Sequence, residues 1–281
     1  MSVPHVPPGH FYSPTIDVED LTARAGTVWP EAPLDPPGID FDADHHRHLL
    51  ATDFPRFMPD YDYPERLEES AELDRFFTCN SQFSWLDARA LFVLLRTWRP
   101  KRIIEVGSGF STLLIADVNR RFLDGSCDIT SIEPYPRAFL RAGHIGIREV
   151  IEKNVQDVAL DVFDTLQPGD LLFIDSSHVS KTGSDVNRLF LEVLPRLRPG
   201  VRVHIHDVFF PHDYPRDWVL GEARSWNEQY LLQAFLMFNN SFRTLFGSNY
   251  AYVRCQSLLR GALALPGGRC FGGGSFYIER R

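Results

Sequence analysis

A short apolar run, a glycine turn and the start of a helical pattern follow one another in Arg102-Ile103-Ile104-Glu105-Val106-Gly107-Ser108-Gly109-Phe110-Ser111-Thr112. The apolar run predicts a strand over Arg102–Val106, and the pattern after the turn predicts a helix over Ser111–Leu123. Two glycines between them let a ligand approach the backbone closely, and the first helical turn offers free N–H groups. The stretch therefore predicts a strand–turn–helix unit that binds a nucleotide-like ligand at the carboxyl edge of a sheet.

Short apolar runs and helical stretches alternate along the rest of the chain. Strands are predicted at Ile129–Glu133, Glu149–Lys153, Leu171–Asp175, Val201–Asp207, near Phe242–Phe246 and at Ser275–Glu279, and helices at Trp85–Trp98, Pro136–Ala142, Val158–Leu166, Ser184–Leu197 and Glu228–Phe238. Alternation with short connections is typical of βαβ units. The predicted fold class is therefore α/β, with a mostly parallel sheet and helices on both faces.

The acid at the end of the second strand helps to separate the nucleotide-like ligands. Glu133 follows the turn by roughly two dozen residues, where a carboxylate binds ribose hydroxyls. NAD and S-adenosylmethionine are both bound in this geometry. A dinucleotide site favours a third glycine and a second βαβ half, but Ser111 and Thr112 follow Gly109, and only one helix and a terminal strand pair follow the fifth strand. These features favour S-adenosylmethionine, and an NAD-dependent oxidoreductase is the alternative.

Polar residues end the fourth and fifth predicted strands. Asp175 and Asp207 lie at neighbouring strand ends, which meet at one crevice in this fold. With His178 or His206 beside them, two carboxylates predict a site for Mg²⁺ or another divalent cation, which would orient a substrate hydroxyl and lower its pKa. His178 is a candidate base, because an imidazole with an unperturbed pKa near ~6.5 needs little tuning.

The glycine turn, Phe173-Ile174-Asp175-Ser176-Ser177-His178 and His204-Ile205-His206-Asp207 together resemble class I S-adenosylmethionine-dependent methyltransferases, in particular the methyltransferase domain 24 group, over about Phe83 to Glu279. That group is related to the metal-dependent O-methyltransferases of macrolide sugars. The resemblance implies a Rossmann-like, seven-stranded sheet with an antiparallel last strand, and O-methylation of a hydroxyl on a sugar or natural product. It also implies a donor site formed by Glu105, Gly107, Ser108, Gly109, Ser111 and Glu133.

The resemblance extends to the polar residues at the strand ends. It implies that Asp175 and Asp207 are metal ligands and that His178 is the base. The chain departs from the pattern at His206, where the sugar enzymes carry Glu. An imidazole binds metals but favours transition metals more than Mg²⁺. The predicted metal set is therefore Asp175, His206 and Asp207, with the identity of the metal left open.

Other residues have two interpretations each. Gln156 and Asp157 either hold the adenine amine or, for Asp157, cap a helix. Lys181 and Asp185 either gate the site or lie in a solvated loop. The stretch Trp226–Tyr230 either contacts substrate or simply starts a helix. The aromatic stretch Val208–Pro215 is either part of a substrate lid or ordinary packing.

The first 70 residues differ in composition from the rest. They are rich in Pro, Asp and His but keep many aromatic residues, which argues against disorder. The predicted domains are an extension of loops and short helices at 1–82, expected to cap the substrate site, and a methyltransferase domain at 83–281. Within the extension, Asp42, Asp44, His45, His46 and His48 suggest either a metal cluster or, the favoured interpretation, a solvated helix start, since adjacent histidines on a helix point in different directions.

The composition limits the classes of binding partner that we expect. The 281 residues carry a net charge of −8, which argues against nucleic acid and favours a small-molecule acceptor. We expect no membrane span and no signal peptide, hence a cytoplasmic protein, and a homo-oligomer is compatible with the sequence. The scattered Cys79, Cys127, Cys255 and Cys270 are predicted to be reduced and buried. A protein that binds S-adenosylmethionine without catalysis is the second alternative function.

Overall fold

The structure is a computed structural model that describes residues 5–68, 73, 75–143, 146–263 and 272–281. Within these ranges, seven strands form one sheet in the order β3-β2-β1-β4-β5-β7-β6. The strands are β1 (Arg102–Val106), β2 (Asp128–Ile132), β3 (Glu149–Ile151), β4 (Leu171–Ile174), β5 (Arg202–Ile205), β6 (Phe242–Gly247) and β7 (Phe276–Arg280). Strands β1 to β5 are parallel, whereas β7 is antiparallel to both β5 and β6. The predicted fold class and the antiparallel last strand are confirmed.

The order of strands reverses beside β1. From β1 the chain continues to β2 and β3 on one side, and returns to β4 and β5 on the other. A crevice opens at such a switch point, outside the carboxyl ends of the strands. The glycine turn after β1 and the ends of β2, β4 and β5 all face this crevice, which positions the candidate site.

Helices cover both faces of the sheet. They are α1 (Val18–Ala23), α2 (Ala25–Val28), α3 (Ala43–Ala51), α4 (Asp53–Phe57), α5 (Trp85–Trp98), α6 (Phe110–Phe122), α7 (Ala138–Arg141), α8 (Asp161–Asp164), α9 (Asp185–Arg188), α10 (Glu228–Leu236), α11 (Ser248–Arg254) and α12 (Gln256–Leu263). Helix α9 continues without a break through π and 3₁₀ turns to Arg196, so the predicted helix at Ser184–Leu197 is confirmed. Helices α11 and α12 were not predicted. No helix among the described residues is long and apolar enough to cross a membrane.

Alternate residues of the central strands point to opposite faces of the sheet. Ile103 and Phe173 pack with α5 and α6, whereas Ile104 and Ile174 pack on the other face with α9 and α10. Each fully buried side chain of this kind contributes about 1.5–3 kcal/mol to the free energy of unfolding. The apolar runs of β1 and β4 are therefore buried on both sides, as parallel strands require.

The segment before residue 83 supplies part of this core. Leu49, Leu50 and Phe54, on α3 and α4, are buried in the same cluster as α5. Its histidine-rich stretch is neither a metal cluster nor simply a solvated helix start. Asp44 and His48 are exposed, but His46 is fully buried: its Nδ1 lies 3.1 Å from the Asp42 carbonyl oxygen, and its Nε2 accepts a hydrogen bond of 2.8 Å from the Gly247 N–H. The sequence pattern gave no sign that β6 would cover this histidine.

The cysteines follow the prediction only in part. Cys127 and Cys255 are free and buried, as expected. Cys79 is free but exposed, because it lies in the loop before α5 rather than in the core. Cys270 lies outside the described residues.

Candidate functional site

The glycine turn joins the ends of β1 and β4. Gly107 has φ of +82°, and a Cβ atom added there would lie 1.7 Å from the carbonyl oxygen of Asp175. Hydrogen bonds fix this contact on both sides, because the Gly107 N–H donates to Ile132 and the Asp175 N–H donates to Val106. Only glycine fits this position, for reasons of both conformation and space.

Glu105 supports the turn from behind. Its side chain is fully buried, and its two carboxylate oxygens accept hydrogen bonds of 2.7 Å from the hydroxyls of Ser111 and Thr112. Burial raises the pKa of Glu105 to about 8, although both hydroxyls oppose the rise. Glu105 is absent from the lining of both cavities described below, so the structure places it behind the turn, and its contact with a ligand stays a prediction.

Glu133 instead faces the crevice. Its carboxylate accepts hydrogen bonds from the N–H groups of Ser108, at 3.0 Å, and Tyr135, at 2.8 Å. These bonds orient the carboxylate and leave it with free acceptor positions, since an ionised carboxylate accepts about four hydrogen bonds. Glu133 is therefore placed to bind hydroxyl groups, as the sequence predicts for a ribose.

Two adjoining cavities open at this edge of the sheet. The first cavity, of about 430 Å³, lies between the ends of β1, β2 and β4 and is lined by Gly107, Glu133 and Gln156, among others. The second cavity, of about 530 Å³, lies toward β5 and is lined by Ser108, Gly109, Ser111, His178 and Trp226, among others. Gly107, Glu133 and Asp175 to Ser177 line both, so one extended ligand can occupy the two.

The smaller predictions for the first cavity have different outcomes. Gln156 and Lys181 line it, as does Asp185, whose carboxylate accepts hydrogen bonds from the N–H (2.8 Å) and hydroxyl (2.6 Å) of Ser177. Asp157 is exposed, does not line the cavity and does not cap α8, because Leu160 precedes that helix. Asp157 is thus not the cap of α8, and its contact with the adenine stays a prediction, whereas Asp185 fixes the loop after β4.

Three polar side chains meet where the two strands end. Nε2 of His178 lies 3.3 Å from Oδ1 of Asp175 and 3.3 Å from Oδ2 of Asp207. One ligand atom from each of these residues lies within 4.8 Å of the others, close enough to share a metal ion. His178 and Asp207 both have left-handed backbones, with φ of +61° and +57°. Such conformations are unfavourable for residues other than glycine and are frequent at functional sites.

Glu228 holds His178 from the other side. Its buried carboxylate lies 2.8 Å from Nδ1 of His178. Because a carboxylate only accepts hydrogen bonds, Nδ1 carries the proton, and Nε2 faces the two aspartates. The sequence pattern of Trp226–Tyr230 predicts substrate contact or a helix start, but it does not indicate this role of Glu228. The indole of Trp226 packs against the same imidazole at 4.4 Å between centroids.

His206 lies beside this cluster rather than within it. Its Nδ1 is 3.5 Å from Oδ1 of both Asp175 and Asp207, and it is not part of the three-residue metal set. Its Nε2 lies 3.6 Å from Oδ2 of Asp87, on α5. The three-residue cluster therefore differs in one histidine from the predicted set of Asp175, His206 and Asp207, and that set stays a prediction. Both histidines lie close to the aspartates, and sequence spacing cannot show which of them joins the cluster.

Charge coupling controls protonation in this cluster. Burial alone would lower the pKa of His178, but hydrogen bonds to Asp175 and Glu228 outweigh it and raise the value to about 10. Burial would raise the pKa of Asp175, but the charges of His206 and His178 hold it well below its usual range. His206 likewise has a pKa well above its usual value, since the aspartates outweigh its burial. Within this cluster the pKa of His178 therefore lies above the near-neutral value expected from the sequence.

The residues present fit both a methyl donor and a metal. The Ser176 hydroxyl is buried without a hydrogen-bond partner among the described residues, in the wall common to both cavities. An unsatisfied polar group of this kind calls for a partner, and a bound ligand, ion or water in the cavity would supply one. Two carboxylates and an imidazole form a donor set typical of Mn²⁺, Fe²⁺ or Zn²⁺ sites.

Comparisons with known proteins agree with this architecture. Residues 104–208 match the family described as a methyltransferase domain. An uncharacterized protein from Archaeoglobus fulgidus is 36% identical over 167 residues, which are 57% of this chain and 73% of that protein. The chain therefore belongs to this methyltransferase family, and its fold is that of class I S-adenosylmethionine-dependent methyltransferases. This membership favours S-adenosylmethionine over NAD.

Solved structures show more distant likenesses. A putative O-methyltransferase from Klebsiella pneumoniae is 16% identical with a TM-score of 0.37, covering 94% of this chain and 95% of that one. A putative methyltransferase from Thermobifida fusca is 14% identical with a TM-score of 0.44, covering 94% and 87%. An O-methyltransferase from Bacillus cereus in complex with S-adenosylhomocysteine is 14% identical with a TM-score of 0.38, covering 94% and 100%. At these scores, the likenesses do not establish the activity of this chain.

Proposed function

We propose that this methyltransferase transfers the methyl group of S-adenosylmethionine to a hydroxyl oxygen of a small molecule, with a divalent cation bound beside the acceptor. One observation carries the proposal: Asp175 lies at the junction of the two cavities and belongs to the candidate metal cluster. A donor in the first cavity would thus end beside the groups that can bind and orient an acceptor.

The first cavity supports binding of the adenosine half of the donor. Glu133 has free acceptor positions for the ribose hydroxyls, and Gln156 is available to the adenine. The backbone of Gly107 lies open between the cavities, where the sulfonium would lie. Methyl transfer from an activated donor requires mainly alignment of the acceptor oxygen, which a rigid turn of this kind supplies.

The second cavity supports a small, ring-bearing acceptor. Its volume, about 530 Å³, is in the range of small-molecule sites. The indoles of Trp218 and Trp226, 5.4 Å apart between centroids, offer an apolar wall next to His178. The chain's net charge of −8 disfavours nucleic acid as the acceptor.

Asp175, His178 and Asp207 would hold the cation. When bound, it would lower the pKa of the acceptor hydroxyl and fix its oxygen. Glu228 occupies the Nδ1 side of the ring, so Nε2 of His178 would be the nitrogen that binds the cation once its proton is released. In this proposal His178 is a ligand. The base role implied by the family resemblance remains the competing prediction, and the two are separated below by metal affinity.

Two hydrogen bonds made by the extension support its predicted role as a cap over the acceptor site. The Ile16 N–H donates to the Ser225 hydroxyl at 3.2 Å, and the Trp29 indole N–H donates to the Tyr214 carbonyl at 2.8 Å. Both partners belong to the stretch between β5 and α10, which carries Trp218 and Trp226. We infer that the first residues of the chain and this stretch act together as the wall of the acceptor site.

The proposal is tested by calorimetric titration of S-adenosylhomocysteine and NAD into the protein, with and without Mn²⁺ or Mg²⁺. Methyl transfer is then measured as S-adenosylhomocysteine released with a panel of hydroxylated sugars, phenols and hydroxy acids. Micromolar binding of S-adenosylhomocysteine and cation-dependent release with one acceptor class would support the proposal. Binding without turnover on any acceptor, with or without cation, would favour the non-catalytic alternative. If S-adenosylhomocysteine did not bind at all, the proposed methyltransferase function would be overturned.

A further inference from the structure

The two arginines that line the second cavity differ in their partners. Arg224 is neutralised, since its Nε and a terminal nitrogen both lie 2.7 Å from the Glu222 carboxylate. Arg137 has no carboxylate within salt-bridge distance among the residues that the structure describes. A guanidinium is always charged, so Arg137 brings an unneutralised positive charge to the cavity wall.

The Arg137 side chain contacts neutral groups. One terminal nitrogen donates a hydrogen bond of 2.6 Å to Oε1 of Gln82, and the guanidinium carbon lies 5.1 Å from the centroid of the Phe110 ring. Gln82 and Phe110 line the same cavity. A guanidinium held in this way keeps further N–H groups for a planar anion, and a carboxylate matches them best.

The position of Arg137 in the chain relates it to the donor. Arg137 follows Glu133 in the short connection between β2 and α7, so one loop carries both side chains. Glu133 lines both cavities, whereas Arg137 lines only the second. A donor whose ribose lay at Glu133 would reach the second cavity with its amino-acid end by passing Gly107, since both residues line both cavities. That end carries an α-carboxylate, which needs a cationic partner when it leaves water.

We propose that Arg137, held by Gln82, binds the α-carboxylate of S-adenosylmethionine. This subsite rests on the donor binding of the proposed function and adds a residue that the sequence motifs do not contain. It also gives Gln82, at the end of the extension, a part in donor binding. A carboxylate on the acceptor is the other source of the same chemistry, and the experiment distinguishes the two.

The test compares two ligands that differ in the amino-acid end. S-adenosylhomocysteine carries the carboxylate, whereas 5′-methylthioadenosine keeps the adenosine and lacks the whole amino-acid group. Both are titrated by calorimetry into the wild-type protein, Arg137→Gln, Arg137→Lys and the control Arg141→Gln. Arg141 lies on α7 close to Arg137, but it is exposed and paired with Glu152, at 3.3 Å.

We expect Arg137→Gln to lower the affinity for S-adenosylhomocysteine at least tenfold and to change the affinity for 5′-methylthioadenosine less than twofold. Arg137→Lys should retain part of the affinity for S-adenosylhomocysteine that Arg137→Gln loses. Arg141→Gln should change the affinity for neither ligand. Binding of 5′-methylthioadenosine also shows that each variant is folded. Equal weakening of both ligands, or unchanged S-adenosylhomocysteine affinity in Arg137→Gln, would overturn the subsite and, in the second case, leave a carboxylate on the acceptor as the remaining source. If the wild-type protein bound neither ligand, the proposed function itself would fail.

Discussion

The carboxylate of Glu228 lies 2.8 Å from Nδ1 of His178, while Nε2 of the same ring lies 3.3 Å from both Asp175 and Asp207. One imidazole thus connects a buried acid on α10 with the two aspartates at the ends of β4 and β5. In metal sites, such a carboxylate fixes the tautomer and increases the basicity of the ligating nitrogen.

Glu228→Gln keeps the size and the acceptor oxygen of the side chain but removes its charge. We expect the affinity for Mn²⁺ to fall by about 10-fold or more, the range found for partners of metal-bound histidines. Calorimetric titration with Mn²⁺ measures this affinity. The control variant is Glu192→Gln, because Glu192 is a half-exposed partner of Arg188. A matching fall in S-adenosylhomocysteine affinity would contradict a role confined to His178.

His178→Asn separates a ligand from a base. As a ligand, His178 contributes directly to metal binding, so we expect the Mn²⁺ affinity to fall at least tenfold while S-adenosylhomocysteine still binds. A residue that acted only as a base would leave the Mn²⁺ affinity intact and lower turnover alone, by roughly 10²–10⁴-fold. Retained Mn²⁺ affinity would therefore restore the role that the family resemblance implies.

The two acids of the donor motif should respond differently. Glu133 faces the cavities, so we expect Glu133→Ala to weaken the binding free energy of S-adenosylhomocysteine by about 2 kcal/mol or more. Hydrogen bonds to charged groups contribute about 1.5–3 kcal/mol each. Glu105 is buried behind the turn, so the neutral isostere Glu105→Gln should change that affinity less than about threefold, a margin of under 1 kcal/mol. A larger effect of Glu105→Gln in calorimetry would mean that Glu105 contacts the ligand.

The two glycines of the turn form a matched pair. Alanine at Gly107 would place Cβ 1.7 Å from the Asp175 carbonyl oxygen, whereas Cβ at Gly109 meets nothing closer than Gln82 at 3.8 Å. We expect Gly107→Ala to lower the free energy of unfolding by more than about 3 kcal/mol, and Gly109→Ala by less than about 1 kcal/mol. Urea denaturation measures both, and similar losses would show that the turn is more adaptable than this contact implies.

His46 should make stability depend on pH far from the candidate site. Burial lowers its pKa to about 4, whereas an unfolded chain has a value near ~6.5. Between these pH values only the unfolded state takes up the proton, so the free energy of unfolding falls as pH decreases from about 6.5 to 4, by up to about 3 kcal/mol. His46→Gln should reduce this slope in urea denaturation, and His48→Gln, an exposed neighbour, should leave it unchanged. An unaltered slope in His46→Gln would assign the effect to other groups.

The sheet could be predicted because its central strands are marked by local patterns in the sequence. The apolar runs of β1 and β4, buried on both faces, and the glycine turn between β1 and α6 are local patterns, and each was found within one or two residues of its predicted position. The meeting of Asp175 with Asp207 also follows from topology, because neighbouring parallel strands end at one edge.

Side-chain direction could not be predicted in the same way. Both His178 and His206 lie within 3.5 Å of the two aspartates, but the candidate cluster contains His178, whose backbone is left-handed and whose partner Glu228 is fifty residues further along the chain. The burial of His46 depends on β6, about two hundred residues away. Such contacts are set by tertiary packing, which overrides local pattern.

The last strand has a consequence for the order in which the site is assembled. The carboxylate of Asp87 accepts hydrogen bonds from the N–H groups of Gly274 and Ser275, and the Val208 N–H donates to the Gly274 carbonyl at 2.8 Å. The turn into β7 therefore holds the backbone beside Asp207 in place. During synthesis, Gly107 and Glu133 emerge from the ribosome long before this turn. We expect a nascent chain to form its donor pocket early and to gain the cation cluster only when β7 has joined the sheet, so that a partly made molecule can retain the donor without being able to use it.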